Sequence, residues 1–242
     1  MRVCWQPSGA LIDRRALFLG AATTLFGAMP TVARKADPAK VTVVSIDLVR
    51  PSQGAVGMRE VGRKTDEVRD RSRKPDKFAR FLVKEALPVV KGPDGGLHLI
   101  DHHHLGRALW DAKQPNVHVE TVADLSGLAP AAFWAEMDKR GWLHAYDTEG
   151  RAVGVERLPR HLKDMGDDAY RSLAGSVRDA GGYGKTEVPF AEFKWADFFR
   201  VRISRSLLAK DFNSAVQQAM GLASGVEAAG LPGFKGALKK AA

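Results

Sequence analysis

The stretch Asp101-His102-His103-His104-Leu105-Gly106-Arg107 puts more chemistry into fewer residues than any other part of this 242-residue chain. Imidazoles titrate near neutral pH, so they can carry protons, ligate metals or contact anions. Consecutive residues on a helix point about 100° apart, so the three rings cannot converge on one ion. His103 and Arg107 lie one turn apart, as do His104 and Arg107. The spacing predicts a helix over 102–112 with Asp101 as its N-cap, placing the histidines where free backbone N–H groups and the helix dipole attract negative charge. A phosphate there would meet backbone amides, imidazoles and a guanidinium together. A metal could instead use Asp101 with His98 and His102, or His103 with a distant carboxylate. No His-x-x-x-His pair shares a helix, so spacing supports a metal only weakly.

Several elements must position this segment. Residues 41–49 are β-branched and alternate, which predicts a strand ended by Arg50-Pro51-Ser52. Residues 59–77 are strongly charged and predict a solvated helix or loop with too few apolar positions for the core. Residues 78–87 read as a helix. Residues 88–91 and 97–100 form a hairpin around Gly92-Pro93-Asp94-Gly95-Gly96. The helix after it buries Leu105, Ala108, Leu109 and Ala112. A strand is expected over 117–123, helices over 129–140, 168–180 and 211–223, and a small hairpin around Asp147 to Gly150. Residues 190–200 are aromatic-rich, with Phe190, Phe193, Trp195, Phe198 and Phe199 assigned to core rather than to base stacking. The fold class is α+β: a small mixed sheet with flanking helices and a mainly helical C-terminal extension.

The formal charge is +9, from 37 Lys and Arg against 28 Asp and Glu. Part of it belongs to an address label. Asp13-Arg14-Arg15-Ala16-Leu17-Phe18-Leu19 has the paired arginine and apolar continuation of a twin-arginine export signal. The small, apolar run over 16–29 is too short to span a bilayer, which takes roughly 20 apolar residues. Removing residues 1–36 takes away five basic residues and one acidic, leaving +5, and also Cys4, the one cysteine. The expected mature protein is exported or periplasmic, has no integral membrane segment and has no thiol. The expected organisation is a signal over 1–36, a core over 37–125, a helix-rich extension over 126–232 and a flexible tail over 233–242.

Strand, Arg50-Pro51-Ser52-Gln53, helix, hairpin and then Leu99-Ile100-Asp101-His102-His103-His104-Leu105-Gly106-Arg107-Ala108-Leu109 resembles the ParB/sulfiredoxin superfamily, and within it the ParB-like nuclease family. The resemblance extends to Gln53-Gly54-Ala55-Val56-Gly57 with Glu60 and Lys64, to Tyr170-Arg171-Ser172-Leu173-Ala174-Gly175, and to Gly181-Gly182-Tyr183-Gly184-Lys185. It covers roughly residues 41–232. Where the generic ParB pattern has Gly-Glu-Arg-Arg, this chain has His102, His103, His104 and Leu105. The glycine and twin arginines of the CTP-handling members are thus replaced, and the mature chain lacks the cysteine of sulfiredoxin.

The resemblance implies a phosphate or nucleotide site at the 101–107 helix start. For a nuclease or phosphodiesterase, Asp101, His103 and Glu60 are the catalytic candidates, with a divalent metal as a candidate cofactor. His102, His104, Arg107, Lys64 and Lys185 are the candidates for holding phosphate. The alternative is a binding module that uses the same residues without turnover, and a third is an exported protein whose surface serves a partner. Sequence-specific DNA recognition is disfavoured, because no helix-turn-helix or basic recognition helix follows.

Overall fold

The computed structural model describes residues 36–236. The chain is α+β, with eight α-helices, a mixed five-stranded sheet and a separate two-stranded sheet among the described residues. β1 (Val41–Ser45) and β2 (Val49–Pro51) replace the single strand expected over 41–49, because a 3-10 turn at Ile46–Leu48 divides it. The Ser45 hydroxyl accepts the Asp47 N–H at the start of that turn, a local bond that competes with strand pairing. After β3 (Ala55–Val56) come α1 (Met58–Ser72) and α2 (Pro75–Lys84). The expected hairpin is β4 (Leu87–Lys91) with β5 (Leu97–Leu99), paired antiparallel. α3 (His103–Asp111), β6 (Asn116–Asp124) and α4 (Pro130–Lys139) complete the first half.

The main sheet runs β1-β6-β4-β5-β2, with β1·β6 and β4·β5 antiparallel and β4·β6 and β2·β5 parallel. A flat sheet of five strands would set its outer strands about 19 Å apart, at roughly 4.8 Å per step. The four-residue step from Ser45 to Val49 reaches at most about 14 Å. Strands consecutive in sequence therefore occupy opposite edges only because the sheet curls. Its concave side encloses a core of Val49, Leu87, Val89, Leu99, Val117 and Val119, closed by Leu105 and Leu109 of α3.

α1 corrects the expectation for the charged segment. Val61, Thr65 and Val68 recur at i, i+4 and i+7, are buried, and lay one stripe of an otherwise charged helix against that core. β7 (Gly166–Asp167) pairs parallel with β3, bringing the second half onto the first. α5 (Ala169–Asp179), capped by Asp168, packs on α6 (Ala191–Arg200) and α8 (Phe212–Ala223), with a short α7 (Arg205–Lys210) between the last two. Tyr183, Trp195 and Phe199 fill this second core, in keeping with the core assignment of the aromatic segment. Within the segment expected as a tail, Gly233 accepts the Gly184 N–H at 2.7 Å and Phe234 packs on the second core. No helix among the described residues is long and apolar enough to cross a membrane. The expected export signal lies in residues 1–36, all but the last of which fall outside the described residues.

Candidate functional site

The helix start differs from the expected cap. α3 begins at His103, and the N-cap position is His102, held at φ 60° in the left-handed region. Asp101 does not cap the helix. Its Oδ1 accepts the His102 N–H at 2.6 Å, which turns the chain into α3 from outside. Non-glycine residues rarely adopt that φ, so the turn is strained locally. The His102 Nδ1 is buried and has no hydrogen-bond partner among the described residues.

The next two histidines point inward. His103 is 5% exposed, and its Nε2 accepts the Ser52 N–H at 3.3 Å. Burial, then the neighbouring His102, drive its pKa down to about 3, against a weaker opposing hydrogen bond to the Leu99 carbonyl. His104 is equally enclosed, and its Nε2 accepts the Gly57 N–H at 3.1 Å. Burial, with the cationic Arg171 second, holds it well below the ordinary histidine range. Both acceptor roles require an unprotonated Nε2, so both rings are neutral. They latch the β2 end and the α1 start to α3, and neither is free to act as a proton shuttle.

Arg107 is likewise spent on structure, donating to Asp111 at 3.0 Å and to the Met165 carbonyl at 2.9 Å. Glu60 does come to the site, with Oε2 3.7 Å from His104 Nε2 and Oε1 4.0 Å from Lys64 Nζ. Lys185 does not. It is exposed in the loop after α5, where Gly182 donates to the Val177 carbonyl as an ordinary helix stop. Among the described residues no group of three His, Asp or Glu side chains is placed to hold a metal ion.

The structure adds residues that the spacing did not single out. α1 meets α5 at Gly57, where an added Cβ would stand 2.8 Å from the Ser172 nitrogen, and Arg59 N–H bonds the Ser172 hydroxyl at 3.3 Å. This close crossing delivers Arg171 to the same place. Arg171 is 7% exposed, its Nε and Nη1 have no partner among the described residues, and its nearest carboxylate oxygen is Glu192 Oε2 at 4.0 Å. Glu192 is itself engaged by Arg178. A Cβ placed on Gly175 would lie 3.4 Å from Arg171 Nη1 and 3.7 Å from Glu60 Oε2, so the bare glycine leaves space that both groups border. His144, a second unforeseen residue, hangs from the Ser52 carbonyl through its backbone N–H, stacks on Tyr146 at a centroid distance of 4.3 Å and meets the tilted Phe193 ring at 3.9 Å. Burial first and Arg171 second bring its pKa down to about 4.

The arrangement is a buried junction of α1, α3 and α5. One guanidinium carries unused donors there, and the surrounding imidazoles are neutral. Such a constellation offers donors to an anion.

A crystal structure of protein Atu1540 from Agrobacterium tumefaciens is similar over 82% of this chain and 98% of that one, at 42% identity and a TM-score of 0.75. No curated protein matches. The family model described as "Putative ParB-like nuclease" matches residues 42–201, from β1 through the α6 segment that closes the second core, and the chain belongs to that family.

Proposed function

We propose that the chain binds the phosphate group of a nucleotide or of another phosphate-bearing ligand at the α1–α3–α5 junction, without His103 or His104 taking part in chemistry. Arg171 carries this reading. A guanidinium taken out of water with two nitrogens, Nε and Nη1, unpaired is costly, and an anion offers the oxygen pair that its planar fork fits. Relative to the sequence expectation the site keeps the start of α3 but exchanges Arg107 for Arg171. Thermal-shift titration of the full chain with orthophosphate and the nucleoside monophosphates tests it. A saturable rise in Tm, abolished by Arg171→Met, is expected; the same rise in that variant would overturn the assignment.

Phosphodiester hydrolysis is the second reading, and it rests on Glu60. Its carboxylate borders the same space as Arg171 Nη1 and is the acid of the expected catalytic set that remains available, since Asp101 is occupied by the His102 N–H. Cleavage of an activated phosphodiester, with and without divalent metal, should then be lost in Glu60→Gln. Binding without turnover under every metal tried leaves the non-catalytic module.

Export belongs to the same proposal. The twin-arginine segment would direct the chain to the periplasm, and Arg14→Lys/Arg15→Lys should retain it in the cytoplasm on fractionation. A cytoplasmic wild type would remove this part.

A further inference from the structure

The chain's positive charge is concentrated away from the α3 start. Residues 58–85, which form α1 and α2, contain ten Lys and Arg against six Asp and Glu, close to the whole net charge of residues 37–242. Between the two helices lies a cleft of about 360 Å³. Lys64, Val68 and Arg71 present one face of α1 to it, and Lys77, Arg80, Phe81 and Lys84 present one face of α2, each set at i, i+4, i+7 or i, i+3, i+4, i+7 spacing. Leu105 of α3 also lines it, so the cleft has apolar residues between two cationic rows.

Its two carboxylates are already engaged. Glu67 accepts from Arg71 at 2.7 and 2.9 Å, and Glu85 pairs with Lys84 at 3.3 Å. Exposed pairs of this kind contribute little and yield readily to a competing anion. Lys77 and Arg80 are exposed and have no carboxylate within ion-pair distance among the described residues. The Arg71 guanidinium lies 4.6 Å over the Phe81 ring, which fixes one cation at the wall.

Seven helical residues rise about 10.5 Å, so Lys64 and Arg71, and likewise Lys77 and Lys84, stand two turns apart. A single phosphate cannot reach both ends of either row. The volume is that of a small-molecule cavity, which suits a compact ligand better than a long polymer.

We propose that the α1/α2 cleft is a second anion site, separate from the Arg171 junction, that takes a small oligophosphate. The ligand class is two or three linked phosphate groups, either inorganic or the polyphosphate tail of a nucleotide. Lys64, which pairs with Glu60 on one side and lines the cleft on the other, stands between the two sites.

Isothermal titration of the full chain with inorganic tripolyphosphate tests the proposal. Saturable binding is expected, with orthophosphate at least about tenfold weaker and affinity falling with added salt. Lys77→Glu/Arg80→Glu should weaken tripolyphosphate by about tenfold or more; both side chains are exposed, and an unchanged melting curve checks the fold. Arg171→Met should leave the binding intact. ATP binding as tightly as tripolyphosphate shows that phosphates alone are read, and tighter binding shows that the base contributes; either supports the site. Unchanged affinity in Lys77→Glu/Arg80→Glu overturns it. So does loss of binding in Arg171→Met, or a decathymidylate that displaces tripolyphosphate at equal or lower concentration.

Discussion

Gly57 and His104 are joined by a hydrogen bond from the glycine N–H to the imidazole Nε2, 3.1 Å long and buried. The bond answers one of the orphan donors at the start of α1 with a side chain from the first turn of α3. A histidine that looks catalytic in sequence is thereby a clasp between two helices. The Ser52–His103 bond repeats the device one residue earlier.

Replacing the clasp tests its role. His104→Ala leaves the Gly57 N–H buried and unpaired beside a cavity, and should cost about 2 kcal/mol or more of stability. His104→Gln puts an amide oxygen where Nε2 was and should recover most of that loss. Urea denaturation of the three proteins measures both; equal loss in Ala and Gln would show that the acceptor is not what matters.

Arg171→Met should raise stability in the absence of ligand. It removes an incompletely paired buried charge, while Glu192 keeps Arg178. A gain of about 1 kcal/mol would appear as a rise in Tm of roughly 2–4 °C for a chain of this size. His144 should titrate higher in the variant, because Arg171 is the charge that opposes its protonation. Histidine NMR titration reads that shift, and an unmoved His144 would contradict the proximity of the two side chains.

Acid should unfold the protein through its histidines. His103 and His144 have folded pKa values of about 3 and about 4, below the unfolded value near 6.5, so the unfolded state binds protons first as pH falls. The stabilisation is fully present above pH 6.5 and is lost as pH falls from there towards 4 and then 3. Each neutral imidazole contributes a slope of up to about 1.4 kcal/mol per pH unit in that window. Denaturation at pH 7, 5.5 and 4.5 should show the decline; a flat profile would mean that the rings are not buried neutral.

Gly57→Ala should separate α1 from α5. The added methyl would meet the Ser172 backbone nitrogen at 2.8 Å, with the Ser172 hydroxyl equally close, and the backbone cannot turn aside as a side-chain end could. Overpacking of this kind costs about 1–3 kcal/mol. Loss of any phosphate-induced thermal shift should accompany it, since Glu60 and Arg171 lie on the two helices being forced apart. A variant with wild-type stability would place no weight on this crossing.

Much of this architecture was legible before the structure. The β4–β5 hairpin, α3 and α5 follow from turn residues and apolar spacing, which are local signals. What was not legible depended on distant partners. Residues 41–49 alternate like one strand, yet two edges of a curled sheet need a break after Ser45. α1 looked solvated because three buried positions among so many charges make a thin stripe. His103 and His104 gave no hint that Ser52 and Gly57 would claim their Nε2 atoms. Arg171 went unassigned because one arginine on a helix ordinarily faces water. The available cue was its company: Ser172, Ala174 and Gly175 are small, as a helix crossed closely by another requires.

The three residues that link β1 to β2 also set an order of events. β1 has no partner until residues 116–120 have been made, and β2 none until 97–99. Local pieces such as the β4–β5 hairpin with α3 can form first, and the two edges close last, since long-range pairing is slow. While the chain is growing, β2 is therefore unpaired until residue 97 has been made, and β1 until residue 116.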